Sequence, residues 1–355
     1  FSEPSLSFAM AQFRCVRSIP NPEIFISPLR IKEAVFSSKI EGTQTSFAEV
    51  LKFEAGELPL EDNQQARDDY TEVNNYRKAL VFAEKSLEEK PFHLNLLLKI
   101  HEILLDSVRG RDKARGKFRT DQNWIGPEGC PIEEALYVPP RPMDLPGHLG
   151  AWERYYHLED KDPLVQLAVV HAQFEIIHPF LDGNGRLGRI LIPLFLYEKE
   201  LLSRPVFYLS VYLEAHREEY TQRLRELGTE GAWDRWIFFF LTAIQTQADK
   251  NRQIARDILA LYEKQKRLVV DKTRSANAIS VLDYIFQHPI FLQSWLSRDH
   301  RVVPTAATAG NIVKQFIELG ILKVSRPGTG RRSTIMYAPE LFHICEPDIR
   351  RALSN

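Results

Sequence analysis

Two apolar helical runs, residues 164–177 and 190–197, are joined by His178-Pro-Phe-Leu-Asp-Gly-Asn-Gly-Arg-Leu-Gly-Arg189, and this junction constrains the fold more than any other part of the chain. Leu164, Leu167, Ala168, His171, Phe174 and Ile177 recur at helical spacing. Pro179 disfavours α geometry at the residue before it, so the first helix must end at His178. Asp182-Gly183 and Asn184-Gly185 are back-to-back turn dipeptides. Such pairs usually close hairpins, but the flanks here are helical rather than alternating. The stretch therefore reads as a tight loop between two helices, the second opening near Arg186 and carrying Pro193, which predicts a kink.

The residue types in this loop are chemically specific. Glycines at 183 and 185 let backbone N–H groups converge, and the following helix N-terminus adds its own unpaired donors, which together favour phosphate. Arg186 and Arg189 stand at i, i+3 and supply two guanidinium forks. Asp182 is a hard carboxylate beside that nest, suited to magnesium. His178 can act as a base near neutral pH. A zinc site of His171, Glu175 and His178 is the weaker reading, because the spacing is not HExxH and Pro179 pulls His178 off the helix.

Helical patterns dominate elsewhere, so the expected class is all-α. They cover 29–42, a segment from the capping box Ser46-Phe-Ala-Glu49, then 70–85, 93–108, 214–227, 233–248 and 252–268. Acidic residues crowd 54–69 and read as a solvated face or loop. Residues 110–150 are rich in Gly, Pro and Arg, with extended pieces at 117–125 and 135–138 that predict a small hairpin or irregular loop. From residue 271 the pattern changes to two short helices, 276–286 and 305–319, then strands at 321–324 and 334–337 around a Gly/Arg turn. That order resembles a winged helix-turn-helix. The expected domains are 1–92, 93–268 and 271–355.

Composition excludes several classes. With 46 Lys/Arg against 47 Asp/Glu the chain has no global polybasic grip on nucleic acid or membrane. Its longest apolar runs, 190–197 and 236–244, fall short of the ~20 residues that span a bilayer. Three scattered cysteines without a CxxC argue against a disulfide framework and favour a reducing, cytoplasmic setting. Phe1-Ser-Glu-Pro has neither a basic nor an apolar signal-peptide region.

The junction is identified as a match, at every position, to the Fic family motif HxFx(D/E)GNGRxxR. The likeness extends to Glu72-Val-Asn-Asn-Tyr76, Gly116-Lys-Phe-Arg119, Trp124-Ile-Gly126 and Tyr137-Val-Pro-Pro140, over roughly residues 10–265. It implies an all-α Fic fold with a β-hairpin flap, and transfer of AMP from ATP to a Tyr, Thr or Ser hydroxyl of a target protein. Homodimers are common in the family. By the same resemblance His178 is the base and Asp182 holds Mg²⁺. Gly183, Asn184 and Gly185 cradle phosphates with Asn184 assisting through its side chain, Arg186 supports them, and Arg189 reaches the γ-phosphate. Leu187 and Gly188 complete the ATP-binding stretch, and Phe180 anchors it. The first loop glycine favours AMP transfer over the kinase-like branch of the family.

Ser37-Ser-Lys-Ile-Glu-Gly42 resembles the family's inhibitory motif (S/T)xxxE(G/N), with Ser37, Glu41 and Gly42 in place. By itself Glu41 is a carboxylate at a helix C-terminus, disfavoured there by about 0.3–1 kcal/mol. The resemblance implies that Glu41 pairs with Arg189 and occupies the γ-phosphate position. Two other functions stay open: removal of AMP using Glu41, and a DNA-binding regulator acting through residues 271–355. The latter span holds 11 Lys/Arg against 7 Asp/Glu, with Lys323, Arg326, Arg331 and Arg332 at the predicted wing. Its would-be recognition helix offers only Asn311 and Lys314 for base reading, which makes DNA the weaker reading.

Overall fold

The computed structural model describes residues 22–56, 63–106, 113–127, 129–330 and 332–346. Two compact units emerge. Glu33–Gln44 and Arg67–Asp249 belong to one, and the described residues of Val16–Lys32, Thr45–Ala66 and Lys250–Asn355 to the other.

Helix α1 spans Glu23–Ile40, starting earlier than the pattern predicts, because the chain forfeits one helical N–H at Pro28 and continues. Gly42, at φ +105°, ends it by a turn in which the Thr43 N–H donates to Ser38 O. Helix α2, Phe47–Glu54, has the expected capping box: Ser46 Oγ accepts from Glu49 N, and Glu49 Oε2 accepts from Ser46 N. Then come α3 (Gln64–Glu89), α4 (Leu94–Leu104, capped by the His93 ring), α5 (Leu145–His157), α6 (Pro163–Ile177) and α7 (Asn184–Glu198). Helices α8 (Ser210–Ala215) and α9 (Arg217–Glu230) stand where one helix over 214–227 is expected. Helix α10 runs unbroken over Trp233–Lys272, replacing two expected helices, since no Gly or Pro interrupts those residues.

In the first unit α6 and α7 are the centre. Helix α6 is apolar almost all round, the signature of a helix buried on every side. Asp162 caps it, accepting from Leu164 N and Val165 N, a contribution of about 1 kcal/mol. Twelve of the fifteen residues of α7 are buried, so the polar groups at its N-terminus lie in a desolvated setting. Helices α5 and α9 pack on α6, and α4 packs on α7. Trp236, fully buried, closes the core and donates its indole N–H to Ala168 O at 2.8 Å. The expected hairpin is reduced to one antiparallel bridge, Ile125↔Tyr137, with a short 3₁₀ turn at Ile132–Glu134 inside it. Pro127, Pro131, Pro139 and Pro140 remove the donors that a longer ladder requires.

In the second unit, α11 (Ala278–Gln287) and α12 (Ala306–Glu318) accompany a three-stranded antiparallel sheet. Its strands are β1 (Ile290–Leu292), β2 (Lys323–Arg326) and β3 (Ile335–Tyr337), in the order β1-β3-β2. Strand β1 and α13 (Pro339–Cys345), the last described helix, have no counterpart in the sequence reading, being too short for a periodic signal. Phe342 of α13 packs against Phe47 at 5.3 Å. Lys323 and Arg332 are exposed, Arg326 donates to Gly56 O, and Arg331 lies outside the described residues. Among the described residues no helix is long and apolar enough to cross a membrane.

Candidate active site

His178 caps α6 in the left-handed region, at φ 48° and ψ 60°, a strained geometry for a residue with a Cβ. Arg119 holds it there. The Arg119 guanidinium donates to His178 O at 2.9 Å, to Asp121 O at 3.2 Å and to Pro140 O, while its backbone N–H donates to Pro179 O. One buried cation thus ties the end of α6 to the segment leading into the bridge. Arg119→Ala leaves three carbonyls without this donor, and a loss of about 3 kcal/mol in unfolding free energy is expected by urea denaturation.

The His178 tautomer follows from its partner. Nδ1 lies 3.2 Å from Glu175 O, and a carbonyl only accepts, so Nδ1 carries the hydrogen and Nε2 keeps its lone pair. Burial pushes the imidazole down to about 4, against the Glu175 carbonyl and the Glu41 charge, which pull it up. The ring is therefore neutral at pH 7 and available as a proton acceptor.

The loop is braced from within. Asn184 Oδ1 accepts from Phe180 N and its Nδ2 donates to Phe180 O, so both ends of this side chain hold the turn. Phe180 is fully buried and stacks on His101 with ring centroids 3.8 Å apart. His101 Nδ1 accepts from Gly116 N at 2.9 Å, which leaves Nε2–H to donate to Asp182 O at 3.0 Å. Burial lowers the His101 ring to about 4, which keeps it neutral for this bridging role. Gly183 takes φ 80°, and a Cβ there would press on Leu105 and Leu104.

Charge concentrates at the N-terminus of α7. Arg186 is fixed between Glu72 Oε2 at 3.1 Å and Asp182 Oδ1 at 3.2 Å. Asp182 keeps 40% of its side-chain exposure, so it can still reach a cation while the arginine steadies it. Arg189 is buried, and its Nε donates to Ser37 Oγ at 2.8 Å and its Nη2 to Ser37 O at 2.9 Å. The same nitrogen donates to Glu41 Oε1 at 2.5 Å. Glu41 Oε1 also fills the space that a Cβ on Gly185 would need. A carboxylate of the chain itself therefore sits on the N-terminus of α7. Crowding by protein atoms favours its neutral form, but the Arg189 and Arg186 charges outweigh this and hold its carboxyl below the usual range. The contact is accordingly complete at pH above the ordinary carboxylate value and is lost only as pH falls through the depressed one.

Helix α1 is anchored one turn upstream. Glu33 is buried, and both its oxygens are engaged: Tyr76 Oη and Ser210 Oγ donate to Oε1, and Ser210 N donates to Oε2. A cavity of about 460 Å³ opens beside Glu41, His178 and Arg189. Its polar lining includes Glu41, Glu175, His178, Gly185 and Arg189, and its apolar lining includes Ile40, Ile125, Leu136 and Leu224.

Residues 91–196 match the family model of Fic/DOC, and residues 8–85 match that of the Fic/DOC N-terminal region, together just over half of the chain. The chain belongs to the Fic/DOC family. Among curated relatives, a probable protein adenylyltransferase of Aquifex aeolicus (strain VF5) is 29% identical over 211 residues, covering 59% of this chain and 58% of that one. The protein adenylyltransferase Fic of Culex quinquefasciatus is 27% identical over 227 residues, covering 62% and 41%. The chain thus spans about half the length of these curated relatives. A crystal structure of a Fic family protein from Desulfovibrio desulfuricans G20 shares the fold over 94% of this chain and 93% of its own, with a TM-score of 0.57 and 17% identity. A Fic domain containing signaling protein from Bacteroides thetaiotaomicron covers 70% and 97%, with a TM-score of 0.55 and 16% identity.

Within this Fic/DOC chain the structure brings His178, Gly185, Arg189 and Glu41 to one cavity, with Ser37 behind Arg189. Leu187 is sealed in the core, and Gly188 faces Glu175 and offers its carbonyl to His171 Nδ1 at 3.2 Å. His171 Nε2 meets Tyr220 Oη at 2.9 Å, so both nitrogens have partners inside the protein. Sequence reasoning missed His101, Arg119 and Glu72 as supports, and Glu175 and Tyr220 as lining. Arg119 and Glu72 lay inside quoted family fragments, whereas Tyr220 carries no local signal.

Proposed function

We propose that this chain is a self-inhibited protein adenylyltransferase that transfers AMP from ATP to a hydroxyl of a protein target. The target oxygen attacks the α-phosphorus, the bond to the leaving pyrophosphate breaks, and His178 Nε2 takes the hydroxyl proton. Donors at the start of α7, around Gly183 and Gly185, receive the phosphates. Arg189 faces the terminal phosphate. Asp182 is the residue suited to hold Mg²⁺, which when bound neutralises phosphate charge; a single half-exposed carboxylate fits an ion that takes its other ligands from water and phosphate. Trp124, Ile125, Leu136 and Val138 expose apolar surface around the bridge, where an extended target segment can lie alongside.

The observation that carries this reading is the Glu41 carboxylate seated on Gly185 and Arg189, an anion of the chain on the groups this reading assigns to a phosphate. On the same footing we assign residues 271–355 to a winged helix-turn-helix module, supported by helices α11 and α12 beside the three-stranded sheet. The test is mass spectrometry of proteins in a lysate incubated with Mg-ATP and the chain, seeking AMP adducts.

The pH profile is a second check. A free histidine base gives an inflection near pH 6.5. Here burial holds His178 at about 4, and removing the Glu41 charge lowers it further. Transfer by Glu41→Gly is therefore expected to show no acid inflection between pH 6 and 7, its acid limb lying at about pH 4 or below. A limb centred near 6.5 contradicts the buried base.

A further inference from the structure

Glu175 sits in the last turn of α6 and is 9% exposed. It lines the same cavity as Glu41 and Arg189. Its Oε1 is buried and, among the described residues, has no hydrogen-bond partner. Gly188 makes room for it: a Cβ at 188 would collide with Glu175 Oε1. Charged and titratable groups that line its cavity are Arg189 of α7, Glu41 after α1, His178 at the end of its own helix, and Arg217, Glu218, Tyr220 and Arg225 of α9. Arg189 is the cation whose charge acts on Glu175, and Glu41 already takes one of its N–H groups. A buried carboxyl oxygen with no donor is not a stable place for a second negative charge. The neutral acid is the form this position favours, and a neutral acid can donate a hydrogen bond as well as accept one.

We propose that Glu175 is a neutral carboxyl that donates a hydrogen bond to the terminal phosphate of ATP once that phosphate takes the place of Glu41 on Arg189. This rests on reading the cavity as the ATP site. Burial supports the assignment, pushing the Glu175 carboxyl up to about 8, with Glu41 adding to the rise and Arg189 opposing it. In the inhibited state Arg189 holds the Glu41 carboxylate and the Glu175 Oε1 is unpartnered among the described residues, and in the ATP complex the phosphate takes the place of Glu41. Glu175 therefore distinguishes ATP from ADP through a bond that exists only while it holds its proton. Raising the pH removes the donor and sets a second negative charge against the phosphate.

Calorimetric titration of the chain with Mg-ATP and with Mg-ADP tests this in the Glu41→Gly background, from about pH 7 to 9.5. With Glu175 present, ATP affinity is expected to fall at least about 10-fold across this range, the scale of one charge-assisted hydrogen bond. Glu175→Gln, which keeps a neutral donor and cannot ionise, is expected to hold its ATP affinity at high pH. ADP affinity is expected to stay flat in both. Parallel ATP profiles for Glu175 and Glu175→Gln overturn the proposal, as does an equal loss for ADP or a Gln variant that binds ATP more weakly throughout. Calorimetry needs no turnover, so the expected pattern without AMP transfer supports Glu175 and strikes the transferase reading instead. Absence of ATP binding in every variant overturns both.

Discussion

His178→Ala, made in the Glu41→Gly background, is expected to lower AMP transfer by about 10²- to 10⁴-fold and to leave ATP affinity within a few-fold. The separation follows from where the ring is committed. Its Nδ1 is engaged with Glu175 O, and its Nε2 has the lone pair that a target hydroxyl needs. The nucleotide contacts assigned above belong to α7 and Asp182, which the substitution leaves in place. Alanine also keeps the backbone carbonyl that accepts from Arg119, so the turn stays tied. Single-turnover transfer and ATP titration on the same samples check the split. Near-normal transfer removes His178 from the chemistry, and a parallel loss of ATP affinity makes it a structural residue.

The loop was legible because Pro179, the paired turn dipeptides and the helical flanks admit few conformations, and the structure places the α6–α7 junction where they require. Ser46 and Glu49 marked the start of α2 for the same reason, since a capping box is a local contact three residues long. What sequence could not show is how distant groups meet. Glu72 reaches Arg186 across 114 positions, and Ser37 reaches Arg189 across 152. Without the family likeness, Glu41 is one carboxylate among many. Glu175 stood in the sequence as part of a disfavoured zinc set, and only the missing Cβ at Gly188 explains how α7 accommodates it. The long helix α10 was misread as two because its charged middle weakens the apolar period, although nothing there breaks a helix.

Glu41→Gly is expected to raise AMP transfer about 10- to 100-fold. The Arg189–Glu41 contact is charge-assisted, and such contacts are worth about 1.5–3 kcal/mol, which converts to that range in rate. Removing the carboxylate vacates both the guanidinium and the space beside Gly185. Arg189 retains its two bonds to Ser37, so it stays aimed at the site. Arg189→Ala in the same background is expected to cancel the gain, because inhibition and phosphate contact meet at one guanidinium.

The most direct measurement is the amount of AMP attached to protein by wild type and by Glu41→Gly, quantified by mass spectrometry after equal incubation with Mg-ATP. The expected result is AMP on protein hydroxyls in both samples, with about 10- to 100-fold more from Glu41→Gly. Equal transfer by the two proteins contradicts self-inhibition by Glu41. Loss of transfer in Glu41→Gly, with AMP removed from modified protein by the wild type, contradicts it in the other direction and makes Glu41 part of the machinery of AMP removal.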